Sequence, residues 1–338
     1  MKGLQRNFSL KNYNSFRLDV KSSLFFSFET SEELKILASE NHNILKNKKL
    51  ILGGGSNLLF TKDFEGLVLY PAMNYIEVID ENQNELFVKA GAGLVWDNLV
   101  EWSVKNSLYG LENLSLIPGN VGAGPVQNIG AYGTEAKDVI HSVNVLNLNN
   151  LEEFSLSNNQ CNFGYRNSIF KGELKEDFLV KDVVFKLSKK ENYNLDYGNL
   201  KDELQKYGET NLINVRQAVI NVRQSKLPDP EITGNAGSFF KNPIVSNNLA
   251  ESLKKAFPEM PVYNSENDKF KLAAGWLIEQ CGWKGKSLKN AAVHKNQALV
   301  LINTGNANGE DIIELANAIK ESVFNKFGVN LEPEVIFV

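Results

Sequence analysis

Two cysteines and three histidines are all that 338 residues offer to metals or cross-links. Cys161 and Cys281 stand far apart with no CxxC spacing, which excludes a disulfide framework and gives no zinc signature. His42, His141 and His294 are isolated, so no metal-ligand cluster is expected. Basic runs are missing and the net charge is -4, which argues against nucleic acid as a partner. No apolar run approaches the ~18 residues that span a bilayer, and residues 1–7 lack the apolar core of a signal peptide. These absences predict a cytoplasmic protein in a reduced compartment, with no membrane span and no obligatory protein partner evident. Core material is ample: 43% of residues are hydrophobic, and the length suits two or three domains at ~100–200 residues each.

What is present is organised around Ile117–Gly133. The stretch carries five glycines, two prolines and no charge. Exposed linkers are usually more polar, so this one is expected to pack against something. Glycine permits positive φ and lets backbone approach a ligand closely, and successive N–H groups in such a loop can cradle phosphate. A large buried turn would use the same residues; the loop alone does not decide.

Residues 16–28 alternate and predict one or two strands. Thr30 or Ser31 is placed to cap a helix reaching about Leu45, with Glu32 and Glu33 in its first turn. Lys49–Leu52 reads as a short buried strand running into Gly53, Gly54, Gly55, Ser56 and Asn57. Backbone N–H groups and a hydroxyl make that loop a phosphate candidate. It is neither a P-loop nor GxGxxG, and a tight turn is the simpler account. Short strands follow at 66–70, 75–79 and 85–89. Val95–Val104 has helical spacing, with Val95, Leu99 and Trp102 on one stripe. Strands at 142–148 and 178–187 bracket Phe163–Ser168. There Tyr165 and Arg166 read either as a core wall and a surface charge, or as a phenol and a fixed cation at a site.

Helices at 199–206 and 215–226 lead into Leu227–Glu231, whose two prolines break the chain and mark a boundary. In Gly234–Pro243 the glycines flank Ser238, whose hydroxyl is expected to be held by backbone, while Lys241 and Asn242 can serve phosphate or sugar oxygens. No GxSxG surrounds Ser238, so it is no triad nucleophile. Helices near 246–256, 272–280 and 311–327 and a strand at 298–302 follow, with His294 read as structural. The chain closes on a predicted strand, Leu331–Val338. Glu332 and Glu334 are two apart and share a face there, and Pro333 implies an edge or irregular strand. A carboxylate in so apolar a strand is costly unless paired or functional.

Six of these motifs occur together and in one order: GGGSN at 53–57, IPGNVGAGPVQNIGAYG at 117–133, FGYRNSIF at 163–170, LPDP at 227–230, GNAGSFFKNP at 234–243 and LEPEV at 331–335. In this the whole chain closely resembles the UDP-N-acetylenolpyruvoylglucosamine reductase family. Tyr197, in Leu195–Asn199, makes it similar to the members that carry a tyrosine loop. The resemblance implies an α+β fold of three domains. Residues 1–74 with 328–338, and residues 75–226, would form a vanillyl-alcohol-oxidase-like FAD-binding unit. Residues 227–327 would form an α+β substrate-binding domain, and the terminal strand would return to the first domain.

The implied reaction is reduction of the enolpyruvyl ether of UDP-N-acetylglucosamine enolpyruvate to the lactyl ether of UDP-N-acetylmuramate. Non-covalent FAD is the implied cofactor and NADPH the hydride donor. By resemblance Arg166 and Glu334 would stabilise charge and Ser238 would donate the proton. Tyr165, Tyr197, Lys226, Asn242 and Gln297 correspond to substrate-side positions. Gly53, Gly54, Gly55, Ser56 and Asn57 would hold FAD together with Pro118, Gly119, Gly122, Gln127, Asn128, Gly130, Ala131, Tyr132 and Gly133. An FAD-dependent oxidase of the same binding superfamily is the alternative. It would use the glycine loops equally well but has no need of Ser238 and Glu334. A non-enzymatic flavin or nucleotide-sugar binding protein would not need Tyr165, Arg166, Ser238 and Glu334 together.

Overall fold

A computed structural model describes residues 3–41, 43–265 and 268–338. His42 and the first two residues of the N-terminal stretch read above lie outside them. Contacts divide the chain into two compact units. The first comprises Met1–Ser9, Lys21–Gly55 and Phe64–Gln224; the second comprises Leu10–Val20, Ser56–Asp63 and Ser225–Val338.

Among the described residues the first unit holds two larger sheets and a short hairpin. In one, Gln5–Ser9 pairs antiparallel with Lys21–Phe28, which pairs parallel with Phe64–Pro71, itself parallel to Lys49–Ile51. Helix α1, Ser31–Glu40, supplies Leu34 and Leu37 to the core beside this sheet. The Thr30 side chain accepts from the Glu33 N–H at 3.3 Å, as an N-cap should. The expected extension to Leu45 does not form: Asn41 closes the helix, and Asn43 at φ 63 begins a 3-10 turn over Ile44–Lys46. The expected strand before Lys21 is absent as well, and Gln5–Ser9 takes the edge position instead.

The second sheet is antiparallel, in the order Glu153–Ser157, Ile140–Asn147, Phe178–Ser188, Glu85–Gly91, Ile76–Glu81. Its core face takes Val88, Val143, Val183 and Phe185 against helix α2, Trp96–Lys105. The expected stripe on α2 is rotated by one residue. Val95 is the N-cap, with extended backbone, and is 46% exposed; Trp96, Leu99, Val100 and Val104 are buried. Trp96 spends its indole N–H on the Leu114 carbonyl at 2.9 Å, so a large ring is buried without stranding a donor. Helices α3, Leu200–Gln205, and α4, Leu212–Lys226, pack together through Leu200, Leu204, Val215 and Val219.

In the second unit Asn235–Ser238, Val300–Asn303, Ala291–Val293 and Ser287–Leu288 form an antiparallel sheet in that order. A three-stranded sheet runs Ile244–Ser246, Lys269–Leu272, Val262–Asn264. Three helices accompany them: α5, Asn247–Ala256; α6, Ala274–Gln280; and α7, Gly309–Phe327. A capping box between Asn308 and Asp311 starts α7, and Gly328 at φ 66 stops it.

The closing strand is shorter than expected. Only Ile336–Phe337 forms one, parallel to Leu58–Leu59. Leu331–Val335 makes a single bridge, Pro333 opposite Phe240, because a proline has no N–H to continue a ladder. Among the described residues no helix is long and apolar enough to cross a membrane.

Candidate active site

In the first unit the chain leaves Lys49–Ile51 into Gly53, Gly54 and Gly55. A Cβ on Gly54 would lie 2.8 Å from the Gly119 Cα and 3.0 Å from the Asn120 Oδ1. The two glycine loops therefore touch backbone to backbone, which no larger residue allows. Four bonds fix the second loop: the Trp96 N–H donates to the Gly119 carbonyl, the Val121 N–H to Leu94, the Gly122 N–H to Ala92, and the Asn120 amide to Gly93.

The loop ends in a two-residue hairpin. Gly130–Ala131 pairs with Thr134–Glu135, and the turn residues Tyr132 and Gly133 have φ 48 and 79, as the tightest hairpins require. Asn128, fully buried, braces the base. Its Nδ2 donates to Glu135 at 3.0 Å and to the Gly164 carbonyl at 3.1 Å, and its Oδ1 accepts from the Lys137 N–H at 3.0 Å.

Gly164 and Asn167 exchange backbone hydrogen bonds, so Tyr165 and Arg166 form the tip of a second tight turn. Arg166 has φ 52 and donates through Nη2 to the Gly130 carbonyl at 2.8 Å. Its guanidinium lies 5.4 Å from the centre of the Tyr165 ring. Arg166 is thereby brought onto the Gly130–Gly133 hairpin. Tyr197, 55% exposed, meets the Tyr132 ring edge-on at 6.2 Å.

Three charged groups nearby, Glu112 buried and Arg223 and Asp97 half-buried, were not singled out from sequence. Arg223 on α4 has no hydrogen-bond partner at Nε. Burial pushes its pKa down, opposed by the nearby Tyr132 and Asp97. Tyr132 is itself pushed up by burial, with Arg223 pulling the other way. Asp97 holds Arg216 through both oxygens, at 2.8 and 2.9 Å, and accepts from the Leu116 N–H at 2.6 Å. Burial raises the Asp97 pKa, but these partners outweigh it and the net shift is downward. Glu112, 3% exposed, accepts from the Gly110 N–H at 2.7 Å. Burial lifts its carboxyl above the usual range against that and further backbone bonds. A charged residue beside the apolar stripe Val215, Val219 and Val222 was the available signal for Arg223.

In the second unit, Ser238 and Glu334 lie on adjoining segments. The Glu334 N–H donates to the Phe239 carbonyl at 2.8 Å, and the Lys241 N–H donates to the Glu332 carbonyl at 2.9 Å. Asn57 joins them: its Nδ2 donates to the Glu334 carbonyl at 3.2 Å, and its own carbonyl accepts from the Ile336 N–H at 3.0 Å. Gly237 at φ 66 bends the strand just before Ser238. The Gly237 N–H is held by the Asn235 Oδ1 at 2.9 Å, so side chain and backbone together set the bend. The two glutamates part company. The Glu332 side chain is 78% exposed and 3.8 Å from Lys241, whereas Glu334 is partly buried.

Asn242 accepts from the Ala274 N–H at 3.0 Å at the start of α6. Gln297 lies beside the same helix, its Oε1 3.0 Å from where a Gly275 Cβ would be. Lys226 ends α4. His294 has a buried Nδ1 without a partner; burial and Lys295 lower its pKa, against a bond involving the Lys226 backbone. Cys161 is buried, its thiol pushed up to about 12 by burial, which makes it a poor nucleophile. Of the sequence-derived candidates, then, the first unit carries Gly53, Gly54, Gly55, the 118–133 residues, Tyr165, Arg166 and Tyr197. The second carries Ser56, Asn57, Lys226, Ser238, Asn242, Gln297 and Glu334.

Known proteins match along the whole chain. Residues 229–338 match the family described as UDP-N-acetylenolpyruvoylglucosamine reductase, C-terminal domain, and residues 29–150 match the family described as FAD binding domain. The chain is 49% identical over 335 residues to the UDP-N-acetylenolpyruvoylglucosamine reductase of Flavobacterium johnsoniae, covering 98% of each. It is 47% identical to the enzyme of the same name from Bacteroides fragilis, covering 99% of this chain and 100% of that one. The crystal structure of UDP-N-acetylenolpyruvylglucosamine reductase from Thermus caldophilus aligns with a TM-score of 0.69 at 23% identity, covering 99% of this chain and 98% of that one. That likeness shows the shared α+β fold.

Proposed function

The chain belongs to the UDP-N-acetylenolpyruvoylglucosamine reductase family, and from that premise we propose that it uses NADPH to reduce UDP-N-acetylglucosamine enolpyruvate to UDP-N-acetylmuramate, in the cytoplasm, during peptidoglycan precursor synthesis. It is an FAD-dependent oxidoreductase. The observation that carries the reading is the alignment of the Ser238 and Glu334 segments through the Glu334 N–H and the Phe239 carbonyl. An oxidase of the same superfamily has no use for that pair.

The residues fit FAD. Gly54 and Gly119 leave bare backbone where two loops meet, which suits close approach of a pyrophosphate. Beside the Tyr132 hairpin, the orphaned Arg223 Nε is a donor that a buried polar ligand would satisfy. Gly53, Gly54, Gly55, Ser56 and Asn57, with the 118–133 loop, would hold the cofactor without a covalent link. When bound, FAD supplies the hydride that NADPH provides and the enolpyruvyl group takes up.

The chain's own groups supply the rest. Hydride addition to the vinyl carbon remote from the carboxylate leaves negative charge on the carbon alpha to it. Arg166, oriented by the Gly130 carbonyl, would offer a fixed cation to that charge. Glu334, when protonated, would donate a hydrogen bond to the carboxylate oxygens that share this charge as an enolate. Ser238 would deliver the proton; a serine is acid enough only toward so basic a carbon. Lys226 would neutralise phosphate, Tyr197 would cover the uridine diphosphate as in tyrosine-loop members, and Tyr165, Asn242 and Gln297 would line the substrate. The division into FAD-binding residues 1–74 with 328–338 and 75–226, and substrate-binding residues 227–327, belongs to the same proposal.

An anaerobic spectrum tests it. NADPH should bleach the flavin, and the enolpyruvyl sugar nucleotide should restore the oxidised spectrum without oxygen. Recovery only on admitting oxygen would point to the oxidase instead.

A further inference from the structure

Asn113 ties the cofactor hairpin to the segment that carries Tyr197. It is 1% exposed, within the 3-10 turn Glu112–Leu114. Its Nδ2 donates to the Tyr132 carbonyl at 2.8 Å and to the Asn194 carbonyl at 2.7 Å. Two carbonyls can be served only by the amide nitrogen, so the orientation of the amide is fixed. Asn194 answers from the other side, its Nδ2 donating to the Gly133 carbonyl at 2.9 Å. A Cβ on Gly133 would stand 2.9 Å from that same nitrogen, so the Asn194 amide packs directly onto the turn at a position without a side chain. Three residues beyond Asn194, the Tyr197 ring leans on the Tyr132 ring.

We propose that Asn113 and Asn194 form a clip that couples the two ligand sites: occupancy of the Gly130–Gly133 hairpin by FAD sets the position of the Tyr197 segment and so the affinity for the nucleotide half of the substrate. The inference rests on the reading that FAD meets the hairpin and that Tyr197 meets the sugar nucleotide. Tyr132 and Gly133 both sit at positive φ, so a hairpin ordered by FAD holds fewer alternatives. Three hydrogen bonds pass that order to residues 194–197, and Tyr197 then loses less entropy when the nucleotide arrives. Linkage makes the coupling reciprocal: nucleotide tightens FAD by the same factor. Asn113 is a positioning residue here and touches neither ligand in this scheme.

The test is titration with UDP, calorimetrically, of full-length holoprotein and of the same protein stripped of FAD. It is run for the unaltered chain, Asn113→Asp and Asn194→Ala. Asn194 is exposed, so its alanine variant guards against a folding failure at buried Asn113. Taking each of the three clip bonds as worth about fivefold, UDP should bind the unaltered holoprotein up to about 125-fold tighter than the stripped protein. The ratio should fall about fivefold in Asn194→Ala, which removes one bond, and about 25-fold in Asn113→Asp, which removes two. Trypsin gives a second readout: cleavage after Lys190 and Lys201, which flank the segment, should be slowed by FAD in the unaltered chain and not in the variants. A ratio unchanged by either substitution, or a ratio of one in the unaltered protein, overturns the clip. Failure of the unaltered holoprotein to bind UDP at all overturns the substrate reading and the clip with it.

Discussion

Adjacent glycines in the first loop should behave oppositely when replaced. Alanine at Gly54 places a Cβ 2.8 Å from the Gly119 Cα, where ordinary contact begins at 3.4 Å. Both atoms belong to backbone, so neither swings aside, and the loops must part by about 0.6 Å. Overpacking of this kind costs ~1–3 kcal/mol. Spent on the FAD cradle, that is a loss of about 5- to 150-fold in FAD affinity. Alanine at Gly53 meets the Ala123 Cβ at 3.5 Å and the Asn120 Cβ at 3.9 Å, both ordinary contacts, and Gly55 alone of the three sits at positive φ. Gly53→Ala should therefore stay within about twofold of the unaltered protein. The assay is quenching of FAD fluorescence on titration into the stripped proteins, with thermal unfolding in parallel. Equal FAD affinity in Gly54→Ala and the unaltered chain would refute the reasoning, as would an equal loss in Gly53→Ala.

Ser238→Ala should leave flavin bleaching by NADPH intact and abolish productive transfer to the enolpyruvyl group; normal turnover in stopped-flow would remove Ser238 as proton donor. Glu112 carries a raised pKa, so the stability it contributes is complete below its ordinary value of 4.5 and is lost as pH rises through the higher folded value. Glu112→Gln, which keeps an acceptor for the Gly110 N–H, should flatten the melting temperature against pH above 4.5, and an unchanged slope would contradict the assignment. Arg223→Met removes a desolvated cation with an unpaired Nε. The stripped protein should gain or hold melting temperature while FAD affinity falls about 10-fold, the range for a hydrogen bond from a charged donor. A loss of stability without a loss of FAD would make Arg223 structural.

Local chemistry was legible wherever a short stretch decides its own conformation. Thr30 caps α1, Gly328 stops α7, and the two prolines after Leu227 end α4, because capping and proline geometry act within a turn. The grouping of GGGSN with the glycine-rich loop was legible as chemistry, and Gly54 against Gly119 gives its contact. Long-range packing was not. Nothing in Leu10–Val20 announces that Asn14 will fold it into a turn, bonding Leu10 and Leu18, or that Phe16 will be buried beside Phe239. The alternation from residue 16 to residue 20 reads as a strand because a buried turn also alternates. The terminal glutamates looked equivalent from their spacing; Pro333 interrupts the ladder between them and leaves one exposed. Arg223 was overlooked because a lone arginine on a helix is ordinarily solvated, and only burial by the neighbouring elements makes it an orphan.

The closing strand sets a timetable for synthesis. Asn57 is bonded to Glu334, 277 residues later, and Leu58–Leu59 has no sheet partner until Ile336–Phe337 exists. At about 5–20 residues per second on the ribosome, that wait is roughly 15–55 s. Through that interval the second unit has its early pieces, Leu10–Val20 and Ser56–Asp63, and lacks the residues that complete it. The nascent chain thus carries unsatisfied apolar segments until Ile336–Phe337 is made, and its exposure to aggregation is governed by how fast the message is read.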